Sequence, residues 1–345
     1  MRCHARVLTD DGGRPFEASG PVGYSPHNLR MAYGLSPWGK STTTIAIVDA
    51  YDDPNIESDL AVYSKQYGLP SCTTANGCFK KVNQSGGKTY PAKNAGWALE
   101  IALDVEIAHA MCPNCKILLV EASTTSLTNL FVAEDYAAAH ATVVSNSWGA
   151  TEFTSETSSS YDGHFSTHTG KPFIFSAGDN GYGVSYPAAS KYVTAVGGTT
   201  LKLTNNSGYS SETVWNGTGS GCSAYEGKPS WQTDTKCIRR TVADVAADAD
   251  PFTGAAIYDT VTYEGSSGWF TVGGTSLSTP IIAGVYAIAG NAASTIDGSY
   301  PYAHRTYLHD VKSGNNGSCG SYLCTGESGF DGPTGLGTPK TPGAF

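Results

Sequence analysis

The sequence predicts an α/β fold in which a mostly parallel central sheet is covered by helices on both faces. Short apolar runs alternate with segments of helical periodicity along most of the 345 residues. This pattern is typical of buried parallel strands joined by crossover helices. Hydrophobic residues make up 40% of the chain, enough for a sizeable core. Since no internal repeat and no linker divides the sequence, we expect one domain.

The first half of the chain carries the clearest elements. The apolar run 44–48 predicts a buried strand, and a turn rich in Asp and Pro follows it. Helical spacing of apolar residues begins after Pro54. The predicted helices are 54–67, 97–110 and 127–140, and the further strands are 116–121, 142–145, 172–176 and 193–196.

The second half is less regular. Beyond Leu201 the chain becomes rich in Gly, Ser and Asn, and apolar patterning returns at 242–250. A strand-like run at 269–272 precedes a long apolar helix at 281–289, and a Gly-rich tail follows. The long loops of this half are expected to lie at the surface.

The composition limits the class of partner. The formal charge of −9 and the isoelectric point near 5.3 argue against nucleic acid, because phosphate binding requires basic patches. No apolar run reaches the roughly 18 residues of a membrane span. Charged residues are only 15% of the chain, so its surface charge changes little on acidification. This is compatible with work at low pH.

Nine cysteines indicate an oxidising, extracellular compartment. Eight of them allow 105 pairings, but they stand in four close couples and leave Cys3 alone. The Cys112-Pro-Asn-Cys115 sequence is also compatible with a redox dithiol or half of a zinc site. Because no second CxxC accompanies it, a structural disulfide is favoured. The couples are Cys72 and Cys78, Cys112 and Cys115, Cys222 and Cys237, and Cys319 and Cys324.

The octapeptide at 273–280, Gly-Gly-Thr-Ser-Leu-Ser-Thr-Pro, carries the candidate nucleophile, Ser276. It ends a strand-like run and opens an apolar helix, with Pro280 expected in the first helical turn. A Ser hydroxyl at such a turn lies near the positive end of a helix dipole, where a nucleophile and its oxyanion are stabilised. The alternative is a Gly-Thr-Ser turn that only caps a buried helix.

A serine nucleophile needs a base, and a paired carboxylate is the candidate. Glu100 and Asp104 are four residues apart, so both project from one face of a predicted helix among apolar neighbours. Burial and mutual repulsion raise carboxyl pKa values, so the pair is expected to share a proton. The alternative is two solvated acids on an exposed helix face. No His-Gly-Thr helix start, which would offer a histidine base, occurs in the sequence.

Asp179 is the third candidate. It follows a predicted strand within Phe-Ser-Ala-Gly-Asp-Asn-Gly at 175–181. A carboxyl group donates a hydrogen bond to an oxyanion only when it is protonated, so this position also indicates operation in acid. A plain Gly-Asp-Asn-Gly turn is the alternative.

Glu100, Asp104, Asp179 and Ser276, in this order, resemble the sedolisins, or serine-carboxyl peptidases, secreted peptidases with a subtilisin-like fold. The resemblance extends from Tyr24 to Pro339. It implies that Ser276 is the nucleophile, Glu100 its general base and acid, Asp104 the group that tunes Glu100, and Asp179 the oxyanion donor. It also implies a substrate cleft lined by the backbone of Ser145, Asn146, Ser147, Trp148 and Gly149.

The resemblance further implies one calcium ion near the C-terminus. Carboxylate and carbonyl oxygens are the ligands that this hard cation prefers. Asp310 and Asp331 would supply side chains, and Val311, Glu327 and Gly329 would supply carbonyl groups. Sedolisins usually have Gly at the position of Glu327. A solvated Gly-rich tail is the alternative.

Sedolisins are made with a large prodomain, which is the expected partner besides polypeptide substrates. Residues 1–23 are accordingly interpreted as a leader or propeptide remnant or an N-terminal arm, and 24–345 as the catalytic domain. Processing is expected somewhere in Asp10 to Gly23. We expect a secreted monomer that binds neither nucleic acid nor membrane.

Three alternatives accompany this interpretation. Asp49 ends the first strand where subtilisins keep their triad Asp, so the set Asp49, His109 and Ser276 must be compared with the carboxylate set; the favoured interpretation of Asp49 is a structural or cleft acid. A relative without activity could bind peptides or a partner in the same cleft. A tripeptidyl-peptidase would use the same residues as an endopeptidase.

Overall fold

The computed structural model describes residues 1–16, 20–35 and 43–345. The α-helices of this described part are α1 (Pro26–Ala32), α2 (Ile56–Tyr67), α3 (Ala95–Met111), α4 (Leu127–His140), α5 (Gly163–Ser166), α6 (Thr275–Ala289) and α7 (Tyr300–Ala303). Its strands are β1 (Arg2–Cys3), β2 (Arg6–Val7), β3 (Thr44–Ala50), β4 (Phe79–Asn83), β5 (Lys116–Ala122), β6 (Val143–Asn146), β7 (Trp148–Thr151), β8 (Phe173–Ser176), β9 (Ser185–Tyr186), β10 (Thr194–Leu203), β11 (Tyr209–Val214), β12 (Gly221–Gly227), β13 (Arg239–Val242), β14 (Val245–Asp248), β15 (Ala255–Tyr263), β16 (Ser266–Gly273), β17 (Leu308–His309) and β18 (Thr338–Pro339).

An eight-stranded sheet organises the molecule. Its strand order is β11-β10-β8-β6-β3-β5-β4, and β14 also pairs with β10. The pairs are parallel except for β10 with β11. Parallel strands place their carboxyl ends at one edge, which is where open α/β sheets bind ligands. The predicted α/β fold with a mostly parallel sheet is confirmed.

Helices cover both faces of this sheet, as predicted. Alternate residues of β3 pack on opposite sides: Ile45 and Ile47 belong to the core beneath α3 and α6, whereas Ala46 and Val48 belong to the core beneath α4. A strand buried on both faces reads as a continuous apolar run, which explains why β3 was visible in the sequence. Helix α3 lies against α6, so these two helices can present side chains to a common site.

Several elements differ from the prediction. Helix α6 begins at Thr275 and not at 281, so Pro280 is its sixth residue and lies in the second turn. Strand β10 continues to Leu203, beyond the predicted 196. The strands β4 and β15 were not predicted; β4 is an edge strand that carries two lysines, which hide its apolar pattern.

The four predicted disulfides are formed, at S–S distances from 1.95 to 2.09 Å, and Cys3 is free. Cys112 and Cys115 are joined and buried at the end of α3, as expected for a structural bond. Among the described residues, no helix combines the length and apolar character needed to cross a membrane.

Residues near the N-terminus lie across the end of the sheet. Strand β1 pairs antiparallel with β7, and β2 pairs antiparallel with β16. The segment Arg2–Val7 therefore bridges two strands that are otherwise separate. Residues 17–19, within the predicted leader of 1–23, lie outside the described residues.

Candidate active site

Ser276 lies in the first turn of α6, directly after the β16 strand, and is fully buried. The preceding Gly274 has a φ of 89°, a left-handed value that favours glycine. A β-carbon at Gly274 would fall 1.9 Å from the carbonyl oxygen of His4 and 2.7 Å from Asp179 Oδ2. Glycine is therefore required for both conformation and space, and its absent side chain leaves room beside the nucleophile.

Glu100 and Asp104 project from α3 into the same buried region. The Ser276 hydroxyl donates a hydrogen bond to the carbonyl oxygen of Ser147 at 3.4 Å, and its proximity to Glu100 lowers the pKa of that carboxyl. Burial and then the charge of Asp49 outweigh this effect and raise the pKa of Glu100 well above its usual range. Asp104 Oδ1 accepts a hydrogen bond from Ser147 Oγ at 2.8 Å. The structure thus brings the nucleophile and both predicted carboxyls together.

Asp49 is a third member of this carboxyl cluster. It lies near the carboxyl end of β3 and is fully buried, and burial raises its pKa to about 8. Its charge also raises the pKa of Asp104, after the larger effect of burial. Sequence reasoning treated Asp49 as a triad or cleft acid and missed this role. The available signal was its place at the end of a parallel strand.

The competing set of Asp49, His109 and Ser276 is not assembled. His109 Nε2 lies 2.9 Å from the carbonyl oxygen of Pro70, and the ring lies beside the Cys72–Cys78 disulfide. Burial lowers the pKa of His109 to about 4. The subtilisin-like alternative is therefore wrong, and His109 is a core residue.

Asp179 lies in the loop after β8, against the start of α6. Its Oδ1 atom accepts hydrogen bonds from the backbone N–H and the hydroxyl of Thr275, at 2.9 and 2.7 Å. Burial raises the pKa of Asp179 to about 6, although the bonds from Thr275 and the charge of Arg6 act in the opposite direction. Arg6 Nε lies 3.3 Å from Asp179 Oδ2. At acid pH this carboxyl is protonated and can donate a hydrogen bond.

The predicted substrate segment forms one wall of the cleft. Ser145 and Asn146 are buried at the end of β6. The carbonyl oxygen of Ser147 accepts from the backbone N–H of His4 at 3.1 Å. Trp148 and Gly149 pair with the residues on the N-terminal side of His4. The segment presents its backbone to an extended chain.

An extended segment of the protein itself occupies this cleft. After the pairing with β7, the N–H of Ala5 donates to Glu100 Oε2 at 2.8 Å. Arg6 and Val7 then pair with Gly273 and Val272 of β16. The chain thus passes between the substrate wall and the nucleophile, and sequence reasoning did not foresee this path.

The C-terminal loop brings the predicted calcium residues together. Asp310 accepts from the N–H of Gly329 at 3.0 Å, and Asp331 Oδ2 accepts from the N–H of Glu327 at 3.1 Å. Val311 directly follows Asp310 in the sequence and is buried. Burial, and to a smaller extent the charge of Asp310, raises the pKa of Asp331 to about 7. Two carboxyls that repel each other in a loop rich in carbonyl groups match the donor set of a hard cation.

The parallel sheet, with a serine at the start of a helix beside buried carboxyls, defines the peptidase domain of subtilisin-like fold. The family model described as the subtilase family matches residues 89–314. The chain belongs to the subtilase family, in the group formed by the sedolisins. The predicted family, one of serine-type peptidases with a subtilisin-like fold, is confirmed.

Individual relatives agree with this assignment. Sedolisin of Pseudomonas sp. (strain 101) is 32% identical over 92% of this chain and 60% of its own length. Kumamolisin of Bacillus sp. (strain MN-32) is 29% identical over 94% of this chain and 63% of its own length. The chain therefore spans about three fifths of these curated relatives. A solved structure of Pseudomonas sedolisin, a serine-carboxyl proteinase with two bound molecules of pseudo-iodotyrostatin, is 28% identical with a TM-score of 0.75, over 93% of this chain and 96% of that one.

Proposed function

We propose that this protein is an acid-acting serine-carboxyl endopeptidase. The observation that supports it best is the convergence of three groups on one peptide bond. Glu100 accepts from the N–H of Ala5, while Asp179 and the His4 carbonyl oxygen lie against the same face of Gly274. Ser276 lies close enough to Glu100 for its hydroxyl to lower the pKa of that carboxyl. The nitrogen of the His4–Ala5 amide thus faces Glu100, the proposed proton donor to the leaving amine. The carbonyl oxygen of the same amide faces the proposed oxyanion site beside Asp179.

Acylation follows from this placement. Ser276 Oγ attacks the carbonyl carbon of the scissile bond, and its proton passes to Glu100. Protonated Asp179 donates a hydrogen bond to the oxyanion that develops. Glu100 then gives its proton to the nitrogen of the leaving amine. Water, deprotonated by Glu100, hydrolyses the acyl-enzyme and restores the hydroxyl of Ser276.

Asp104 and Asp49 tune this proton transfer. All three carboxyls are buried, the charge of Asp49 raises the pKa of Glu100 and of Asp104, and the charge of Glu100 raises that of Asp104, so the three are not expected to be ionised together. Ser147 holds Asp104 by its hydroxyl. We assign to Asp104 and Asp49 the role of remaining protonated. Glu100 can then be the ionised member of the three and accept the proton of Ser276.

The cleft favours an endopeptidase over a tripeptidyl-peptidase. A tripeptidyl-peptidase admits three residues before the scissile bond and must exclude a fourth. Here four residues, Met1 to His4, precede the bond beside Ser276. The Met1 nitrogen donates to the carbonyl oxygen of Thr125 at 2.9 Å, so the fourth position is accommodated on the surface.

Calcium is proposed as a structural ion. Asp310 and Asp331 would hold it with their carboxylates, and Val311, Glu327 and Gly329 with their carbonyl groups. The ion would neutralise the repulsion between the two carboxyls and fix the loop before β18. It would take no part in peptide hydrolysis.

The setting of the enzyme is proposed on similar grounds. Four disulfides suit a secreted protein in an oxidising compartment. We propose polypeptides as its substrates and a prodomain as its natural partner, with the enzyme itself a monomer. We propose no nucleic-acid partner, because phosphate binding requires basic patches and the composition is acidic.

Incubation with denatured protein between pH 3 and pH 7 tests the proposal. We expect fragments at the acid end and none from a Ser276→Ala variant. Ser278→Ala is the matched control, because Ser278 is buried two residues further along α6 and donates only within the helix, to the Thr275 carbonyl. Absence of fragments from wild type at every pH, or equal cleavage by Ser276→Ala, would refute the proposal.

A further inference from the structure

The segment Arg2–Val7 has the features of a bound substrate, and this inference rests on the function proposed above. Before His4 it pairs antiparallel with β7, and after Ala5 it pairs with β16. Strand addition of this kind holds a peptide through its main chain and leaves the side chains to set specificity. The orientation therefore assigns each residue a place relative to one bond.

That bond is His4–Ala5. The backbone N–H of His4 donates to the carbonyl oxygen of Ser147, and the N–H of Ala5 donates to Glu100 Oε2. The His4 carbonyl oxygen is the atom that lies against Gly274, next to Asp179 Oδ2. The neighbouring residues on both sides make ordinary strand pairs. His4–Ala5 is thus placed for attack by Ser276, with the leaving nitrogen already at Glu100.

Residues Asp10 to Arg14, at the start of the region 10–23 in which processing was expected, have a different geometry. Thr9 and Pro15 form a β-bridge, and the N–H of Asp10 donates to the carbonyl of Arg14 at 2.8 Å. The residues between them turn back on themselves and do not extend through a cleft. A tight turn lacks the extended conformation that the bond in the cleft has.

The side chain of His4 fills a closed pocket. It is 3% exposed, and its Nδ1 atom lies 2.7 Å from the hydroxyl oxygen of Ser176. Ser176 is the last residue of β8 and is fully buried. A β-carbon at Gly149 would fall 3.0 Å from His4 Cε1, so the wall contacts the ring closely. Burial, and then the charges of Arg2 and Arg6, lowers the pKa of His4 to about 3, so the bound ring is neutral.

We propose that the enzyme cleaves its own His4–Ala5 bond and that Ser176 makes it selective for histidine before the scissile bond. Ser276 Oγ bonds to the His4 carbonyl carbon, and the bond from that carbon to the Ala5 nitrogen breaks. The nitrogen takes the proton from Glu100 and becomes the new N-terminus. Water then releases a peptide that ends in the carboxyl group of His4. Leucine in the same pocket would leave the buried Ser176 hydroxyl without its partner, which is costly.

Intact-mass analysis of the full chain during incubation at about pH 4 tests the cleavage. We expect a product that begins at Ala5, none from Ser276→Ala, and slower release from His4→Leu. Denatured protein is digested in parallel to separate the two proposals. Fragmentation of that protein while His4–Ala5 stays intact overturns this inference and leaves the proposed function standing. No fragmentation of either substrate overturns both.

Peptides test the role of Ser176. Two octapeptides carry residues 1–8 with His or Leu at position 4, and kcat/KM is measured for each. Loss of one hydrogen bond is expected to lower kcat/KM of Ser176→Ala for the His peptide by about tenfold, with less than about a twofold change for the Leu peptide. The exposed Ser160→Ala is the control and should change neither value.

Two results would contradict the selectivity. One is a wild-type enzyme that cleaves the His and Leu peptides equally well. The other is a Ser176→Ala variant that loses activity on both peptides to the same extent. If Ser176→Ala fails to fold, the wild-type comparison and the His4→Leu chain still decide the question.

Discussion

At the scale of single residues, the proposed mechanism assigns to buried carboxyls the role that a histidine has in many serine peptidases. Glu100, Asp104 and Asp49 lie in the core beside Ser276, and burial is the largest cause of the raised pKa of each. A buried carboxyl remains protonated to a higher pH than an exposed one, so a proton is available for the leaving amine.

Asp179→Asn should shift the alkaline limb of the pH profile. Asp179 has a pKa of about 6, so it is a donor below that pH and a negative charge beside the oxyanion above it. An Asn amide donates at every pH. We expect kcat/KM of wild type on peptides to fall as the pH rises through about 6, and the variant to retain activity above it. Superimposable profiles from pH 3 to 8 would show that Asp179 is not the titrating donor.

Glu100→Gln should remove the general base and acid. The substitution keeps shape and burial, and we expect kcat to fall by about 10²- to 10⁴-fold with KM little changed. Glu106→Gln is the matched control: Glu106 is equally buried on α3, but it accepts from the backbone N–H of Tyr258, away from Ser276. His109→Ala should retain activity. A Glu100→Gln enzyme with near wild-type kcat would exclude the carboxylate mechanism.

Sequence reasoning selected Glu100, Asp104, Asp179 and Ser276 as candidates because each lies in a recognisable local pattern. The part played by Asp49 depends on the arrangement of the sheet, and the placement of His4 depends on a contact over 172 residues with Ser176. No local pattern encodes such distances. The missed residues are those that the fold brings to the site from elsewhere.

At the scale of elements, the position of Pro280 within α6 is informative. Proline has no N–H, so the carbonyl of Ser276, four residues earlier, lacks its helical partner. The hydroxyl of Ser147 lies 3.5 Å from that carbonyl oxygen. Ser147 also donates to Asp104. The missing helical hydrogen bond at the Ser276 carbonyl thus lies beside Ser147, which also contacts Asp104 of the carboxyl cluster.

Asn94 is expected to stabilise the helix that carries both catalytic carboxyls. Its side chain accepts from the backbone N–H of Trp97 at 3.1 Å and caps α3. Asn94→Ala should lower the free energy of unfolding by about 1 kcal/mol and Tm by about 1–3 °C. Asn94→Asp preserves the acceptor and should unfold near the wild-type temperature. Equal losses in both variants, measured by calorimetry, would show that the cap contributes nothing.

The elements most visible in the sequence were the central ones. β3 and β5 are buried on both faces, so their apolar runs are continuous, and α4 was predicted with its observed bounds. The β15–β16 hairpin was only half predicted, since β15 alternates buried and exposed residues over part of its length. Central position explains the predictable strands, and exposure explains the others.

At the scale of the whole molecule, many carboxyl groups are buried away from the active site. Burial is the first cause of a raised pKa at each of them. The groups with the clearest shifts are Asp53 (about 7), Glu121 (about 9), Glu226 (about 8) and Asp259 (about 8), with Glu134 and Asp248 raised well above their usual range. The folded state therefore binds more protons than the unfolded chain.

Stability should consequently fall as the pH rises. For a carboxyl with a raised pKa, the stabilisation is complete below the unfolded value near 4 and is lost on approach to the folded value. The window here is pH 4 to 9. His109 acts oppositely, since its lowered pKa removes stability between about pH 6.5 and 4, but it is outnumbered. Calorimetry should give a higher Tm at pH 4.5 than at pH 8; the reverse order would contradict the assigned shifts.

Removal of calcium should loosen the C-terminal loop. A chelator at pH 6 is expected to lower Tm by several degrees, because bound ligand stabilises the folded state by mass action. Asp331→Asn should have a lower Tm and respond less to the chelator. Asp135→Asn, an exposed carboxylate elsewhere, is the control. A Tm that is unchanged by chelator and restored calcium would argue that the loop is stable alone.

The reactivity of the free thiol of Cys3 can report whether the N-terminal segment occupies the cleft. Cys3 precedes His4, and burial, followed by the charges of Glu100 and Asp49, raises its pKa well above the usual range. Since the other eight cysteines are paired, an alkylating reagent would meet an unreactive thiol while the segment is seated and a reactive one after it departs. The extent of alkylation would therefore measure the fraction of molecules whose cleft is open to outside peptides.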